Sequence, residues 1–186
     1  MKTLIIDTHL NDILIFLCVN GKLVDKREVI NKKNNSELIF PTIIDLINNQ
    51  VINEIIVVNG PGSFTSVRLG ITIAKTLAYT LNIPIKTISS LKAMAISNNQ
   101  YLVGIDDNNG CYLGQFDANF NNINEYIYLN YEEFNNIENH DAYNFNYTLN
   151  AEKVYNYLKD KASVNPHDVN PIYIKKIGVE IDKKSY

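Results

Sequence analysis

The stretch that most restricts this chain is a glycine-rich turn set between an apolar strand and a long helix. Glu54 to Asn59 contains Ile55-Ile56-Val57-Val58, four consecutive branched apolar side chains. A strand with one wet face alternates polar and apolar residues, so an unbroken run predicts a strand buried on both faces inside a sheet. Gly60-Pro61-Gly62-Ser63 follows, and helical periodicity then runs to Leu81. Gly60 and Gly62 permit tight backbone angles, Pro61 fixes one of them, and Ser63 is placed to accept from the first free helical N–H groups. Such a turn has two readings: an anion site, because exposed N–H groups and the helix dipole favour negative charge, or a purely structural strand-to-helix turn. The specific phosphate and nucleophile signatures are absent. No Gly-Lys-Ser/Thr follows, so the turn is not a P-loop, and there is no Gly-x-Ser-x-Gly to put Ser63 on a nucleophile elbow.

The helix has two unlike faces. At ~100° per residue, Phe64, Val67, Ile71, Ala74, Ala78 and Leu81 form an apolar stripe that Gly70, Ile73 and Leu77 widen to about half the circumference. That half is expected to face the sheet. The other half carries Thr65, Leu69, Thr72, Thr76 and Tyr79, with only Arg68 and Lys75 charged between Ser63 and Leu81. A solvated helix of this length carries more charge. Either a second surface covers this face, or it is an ordinary face rich in threonine. The preceding helix, expected from Ser36 to about Asn48 with Pro41 disturbing its first turns, is equally apolar. Leu38, Ile39, Phe40, Ile43, Ile44, Leu46 and Ile47 leave only Glu37 and Asp45 charged.

Around these helices the periodicities predict strands at Lys2 to Asp7, Ile13 to Val19 and Lys22 to Ile30, joined across Asn20-Gly21, then a polar loop at Asn31 to Asn35. A strand at Ile85 to Ile88 and a helix from Ser89 or Ser90 to about Ser97 complete the order β-β-β-α-β-α-β-α. A meander continued by parallel β-α-β units makes an α/β fold with a mixed five-stranded sheet, the ribonuclease H-like lobe of the actin, sugar-kinase and Hsp70 superfamily. Tyr101 to Asp106, a turn at Asp107 to Gly110 and Cys111 to Asp117 repeat the opening hairpin, so Asp7 and Asp106 occupy matching places. After them come a strand near Tyr126 to Leu129, a helix near Tyr131 to Ile137, a weak strand near Tyr143 to Leu149, a helix from Ala151 to about Lys161 and an edge strand near Val169 to Lys176. Residues 1–98 thus form the first lobe. Residues 99–186 form a smaller, truncated second lobe of related topology with a tail.

Composition removes several classes. Net charge is −3, and the 17 Lys and Arg residues are scattered, which gives no footprint for tight direct nucleic-acid binding. Cys18 and Cys111 are far apart and form no Cys-x-x-Cys, and His9, His140 and His167 lack metal spacing. The start lacks a signal-peptide pattern and no run is long enough to span a membrane, so a cytoplasmic location is expected.

The residues Leu4-Ile5-Ile6-Asp7-Thr8, Ser36 to Pro41, Gly60-Pro61-Gly62-Ser63-Phe64-Thr65 with Arg68, Gly70, Ala74 and Lys75, then Ile83-Pro84, Ser89-Ser90-Leu91, Asp106 to Tyr112 and Pro171 to Lys175 resemble the TsaB (YeaZ) family of tRNA threonylcarbamoyladenosine biosynthesis proteins. Ser66, His9 and Asn35 depart from the family pattern. The resemblance implies a non-catalytic subunit that holds a catalytic paralogue, TsaD, through the first two helices, with the ATPase TsaE joining them. It implies no catalytic residue, metal or cofactor on this chain, ATP and magnesium being used by the partners, and only indirect contact with tRNA. The expected interface is Leu38, Pro41, Thr42, Asp45, Thr65, Arg68, Leu69, Thr72, Ile73, Thr76 and Tyr79, with Gly60, Pro61, Gly62 and Ser63 as a structural turn. The same face allows a homodimer when the chain is alone. The alternative is a nucleotide-using phosphotransferase of the actin and sugar-kinase superfamily, with Asp7 and Asp106 as cleft carboxylates for a metal or base.

Overall fold

The computed structural model describes residues 1–10, 12–30 and 35–174. Asn11, the loop at 31–34 and the basic tail with Lys175, Lys176, Lys183 and Lys184 lie outside them. Strands β1 (Lys2–Asp7), β2 (Ile13–Val19) and β3 (Lys22–Val29) form the expected antiparallel meander. Its second turn closes at Asn20 and Gly21, both at positive φ, the geometry that suits the right-handed twist of the strands. A 3-10 turn, Asn35–Leu38, leads into helix α1 (Ile39–Ile47), so the irregular entry expected near Pro41 is a 3-10 segment just before it. Strand β4 (Glu54–Val58) is buried at every residue, lies parallel to β1, and is followed by α2 (Phe64–Leu81), β5 (Ile85–Ile88) and α3 (Ser90–Asn98). The sheet order is β3-β2-β1-β4-β5, the mixed five-stranded sheet expected of an actin-like lobe.

Side-chain alternation sorts the core. Leu4, Ile6, Ile15, Leu17, Ile55 and Val57 project to the side covered by α1 and α2. Ile5, Phe16, Cys18, Ile56 and Val58 project to the opposite side, beneath α3. Within α2 it is Val67, Gly70, Ile71, Ala74 and Ala78 that are buried, and each branched side chain so buried contributes roughly 2 kcal/mol. Phe64 and Leu81, expected in the same stripe, are half exposed. They sit at the first and last positions of the helix, where the sheet no longer lies beneath them.

The second sheet has three antiparallel strands, β6 (Leu102–Asp107), β7 (Gly110–Gln115) and β8 (Ile127–Asn130), with α4 (Tyr131–Asn135) following. The strand expected at Tyr143 to Leu149 does not form. Asn144 alone bridges to β6, exchanging bonds with Leu102 and Gly104, after which the chain turns inward and carries Tyr147 to Asp7. Helix α5 (Ala151–Leu158) packs under the first sheet beside α3. Its C-terminal carbonyls, Leu158 O and Lys159 O, accept from the ammonium of Lys86, which is buried against Glu54 at 2.8 Å. From Val169 to Ile174 the chain forms no strand and instead runs beside α2.

Candidate functional site

The outward side of α2 follows from its periodicity. Thr65, Thr72 and Thr76 form the crest, and Arg68 and Tyr79 are exposed beside it. The hydroxyls of Thr72 and Thr76 donate back to the carbonyls of Arg68 and Thr72, each at 2.8 Å. These polar groups are satisfied inside the helix, so covering them strands no donor. On α1, Pro41 and Asp45 are exposed and Thr42 half-buried, as is Leu38 at the end of the 3-10 turn, with Phe40 and Ile44 presenting half of their surface to solvent. Asp45 is tied to Arg27 Nε at 2.5 Å.

Leu69 and Ile73 lie differently from Thr72 and Thr76. Both are half-buried and pack on the first core, on the flank of α2 nearer α1. Phe40, Ile44 and Phe64 complete the apolar part of the exposed surface. Phe40 and Ile44 stand out in the sequence through the lack of charge on α1, but which of its apolar residues face outward depends on how the helix seats on β2 and β3.

The opposite flank of α2 is occupied by the chain's own C-terminal segment. Lys75 Nζ donates to the carbonyls of His167 and Val169, Tyr79 meets the His167 ring edge-on, and Val169 is buried in the first core. Ile172 N–H donates to Asn59 O, which fastens the segment to the end of β4. Arg68 Nε donates to the Tyr173 hydroxyl at 2.5 Å, and its guanidinium lies 3.7 Å from the centre of the Phe64 ring. The α2 face short of charge in the sequence is therefore covered along one flank from within the molecule, while its crest of Thr65, Thr72 and Thr76 is exposed.

The glycine-proline turn is held by the first hairpin. The Gly60–Pro61 peptide is cis, Gly60 has φ near 90°, and Ser63 N–H donates to His9 O at 2.7 Å. A Cβ at Gly62 would overlap that same carbonyl. Ser63 does not cap α2 with its side chain as the sequence suggested; the hydroxyl donates to Ser66 Oγ at 3.2 Å instead. Ser90 Oγ donates to Pro61 O, so α3 braces the turn from behind.

Asp7 and Asp106 stand near the ends of matching hairpins but do not converge. Asp7 is buried; one oxygen accepts from His9 N–H at 3.1 Å and lies 2.6 Å from His9 Nδ1, and the other accepts from the Tyr147 hydroxyl at 2.6 Å. Burial alone would raise its pKa, but the charge and hydrogen bonds of His9 and the bond from Tyr147 outweigh it and hold the carboxyl below its ordinary range. Burial and the Asp7 charge push the Tyr147 phenol well up. Among the described residues His9 Nε2 has no hydrogen-bond partner, so the imidazole and Ser63 form no nucleophile–base pair. Asp106 is exposed and borders a cleft of about 980 Å³ that His9, Gly62, Tyr112 and Tyr173 also line. Asp7 borders a separate cavity of about 270 Å³. Among the described residues no group of three or more His, Cys, Asp or Glu is arranged to hold a metal. Cys18 and Cys111 are buried thiols, pushed up to about 11 by burial first and neighbouring carboxylates second. Among the described residues no helix is long and apolar enough to cross a membrane.

The family model for TsaD, tRNA N6-adenosine threonylcarbamoyltransferase, matches residues 30–109. The chain is 37% identical over 106 residues to the tRNA threonylcarbamoyladenosine biosynthesis protein TsaB of Bacillus subtilis, which covers 54% of this chain and 46% of that protein. It is 35% identical over 69 residues to the protein of the same name from Buchnera aphidicola, covering 34% of this chain and 31% of that one. The matches thus span less than half the length of these curated relatives. The solved structure of YeaZ from Pseudomonas aeruginosa superposes with a TM-score of 0.76 at 17% identity, covering 93% of this chain and 99% of the other. The resemblance to TsaB and the mixed five-stranded α/β fold read from the sequence are both borne out.

Proposed function

We infer that this chain is a non-catalytic subunit of the machinery that makes tRNA N6-threonylcarbamoyladenosine, and that it works by docking on a catalytic paralogue of the TsaD type through α1 and the crest of α2. The relatives are named for that pathway, and the TsaD family model matches the stretch that contains both helices. The observation that carries the reading is the character of the exposed helical face. Phe40, Ile44 and Tyr79 are about half exposed or more, the hydroxyls of Thr72 and Thr76 are satisfied internally, and carboxylates are nearly absent. Two such helices meeting two of a paralogue would bury on the order of 1,200–2,000 Å² in total, the size of a stable specific interface.

In this reading ATP and magnesium belong to the partner and to the ATPase TsaE, and tRNA meets this chain only through the assembly. The phosphotransferase alternative draws little from Asp7, whose oxygens are already engaged by His9 and Tyr147. The test is light scattering after size exclusion, on this chain alone and mixed with its own organism's TsaD. Thr76→Arg is the better probe, since Thr76 is exposed whereas Leu69 packs on the core. A one-to-one complex that Thr76→Arg abolishes, with the thermal midpoint of the isolated chain unchanged, is expected. A complex that survives the substitution would remove α2 from the interface. Binding of magnesium-ATP by the isolated chain, with no complex, would favour the phosphotransferase.

A further inference from the structure

The C-terminal segment does more than cover one flank of α2, because it shapes an arginine. Arg68 sits one turn into α2 with its guanidinium 3.7 Å from the Phe64 ring centre and 5.4 Å from that of Tyr173. The two rings are 5.9 Å apart and each is half exposed. Nε is taken by the Tyr173 hydroxyl, while the two terminal nitrogens have no acceptor among the described residues. No carboxylate there lies within ion-pair distance of Arg68. The guanidinium is thus fixed in direction, stacked near the Phe64 ring and held at Nε by the Tyr173 hydroxyl, with its outer edge open.

An arginine stacked on one aromatic ring, aimed by a tyrosine hydroxyl and with its outer edge free, suits a planar, bidentate anion. Two kinds of macromolecule offer one: a carboxylate on a protein and a phosphate on RNA. The surroundings favour the protein. Lys75, the only other cation on α2, is spent on the carbonyls of His167 and Val169, and the adjoining surface is threonine and aromatic. A nucleic-acid backbone is held by several cations acting together, and among the described residues this corner supplies one. Interface hot spots have the opposite make-up: arginine and tyrosine packed among apolar groups that exclude water.

We propose that Phe64, Arg68 and Tyr173 form a carboxylate-recognition corner at the edge of the docking face, where Arg68 pairs with an acidic side chain of the partner and Tyr173 is the positioning residue that aims it. The inference rests on the reading that α1 and α2 dock on the catalytic paralogue. It adds the C-terminal segment, more than a hundred residues distant in sequence, as a third element of that surface.

The test is the dissociation constant for this chain with TsaD of the same organism, measured by titration calorimetry across an ionic-strength series, for wild type, Arg68→Gln, Arg68→Lys, Tyr173→Phe and Thr76→Arg. Arg68→Gln is expected to weaken binding by about thirtyfold, the scale of a hot-spot residue, and to flatten the salt dependence. Arg68→Lys should not restore it, because an ammonium cannot make the planar pair. Tyr173→Phe should weaken binding by roughly three- to tenfold and leave the thermal midpoint of the isolated chain unchanged. Wild-type affinity and salt slope in Arg68→Gln, with Thr76→Arg still disruptive, would overturn the corner and leave the docking face standing. Absence of a wild-type complex would overturn both. Loss of tRNA affinity or of a homodimer in Arg68→Gln, with the partner still bound normally, would also overturn it and assign Arg68 to that contact.

Discussion

Asp7 shows how much one buried carboxylate can organise. Its oxygens receive the His9 backbone, the His9 ring and the Tyr147 hydroxyl, and the His9 and Tyr147 rings pack 4.2 Å apart. The cluster therefore pins the first hairpin turn to a segment 140 residues away. Replacing Asp7 with Asn keeps the shape but removes the charge that the imidazole faces, and about 3 kcal/mol of unfolding free energy should be lost. The pH dependence has a definite sign. Because the folded carboxyl is held below its ordinary value of 3.8, its contribution is present above that pH and is lost as pH falls through the lower folded value. The stability gap between wild type and Asp7→Asn, followed by urea unfolding, should close on acidification below about pH 3.8. A gap that stayed constant into acid would show that the carboxylate carries no such linkage. The sequence marked Asp7 as a possible cleft acid at the turn after the first strand. The structure has it bonded to the His9 backbone within that turn, and no local pattern announced Tyr147 as its other partner.

Among the elements, α5 depends on a contact that its own sequence does not reveal. Its eight residues supply Ala151, Val154, Tyr155 and Leu158 to the second face of the first sheet. Its last carbonyls meet Lys86 on the edge strand β5, where a cation also complements the helix dipole. Lys86 is in turn paired with Glu54, whose other oxygen accepts from Thr3. Removing only the lysine leaves a carboxylate buried without its cation, so Lys86→Met should cost about 3–5 kcal/mol in denaturant unfolding. Adding Glu54→Leu to it should recover most of that loss; a double variant no better than the single one would mean that the carbonyl contacts, not the ion pair, carry the effect. The helices and strands themselves were legible from periodicity and turn residues: β1, β2, β5 and the body of α2 lie where apolar spacing placed them. The strand expected at Tyr143 to Leu149 was not. Its alternation of aromatic and polar residues has the period of a strand, but Tyr147 finds a better partner inward than any ladder offers.

For the whole molecule, the exposed helical face is the feature on which the proposed docking rests. Phe40 and Ile44 stand one turn apart on α1, each about half exposed, and truncating them removes apolar area that a docked surface would cover. Phe40→Ser combined with Ile44→Ser is expected to weaken the TsaD complex by about a hundredfold or more while leaving the isolated chain as stable as before, checked by calorimetry and thermal unfolding. Equal affinity for the variant would place the contact elsewhere. The sequence by itself determined the mixed sheet, the order of its elements and the shortage of charge on α1 and α2, because these follow from periodicity and turn chemistry acting over a few residues. Only the tertiary structure decided that Leu69 turns inward, that Asp7 and Asp106 border different cavities, and that Tyr173 reaches Arg68 across 105 residues. The reason is physical: helical and strand periods set which face of an element a side chain occupies. Which distant group that face meets is settled by how sheets and helices pack, and that packing is a property of the whole chain.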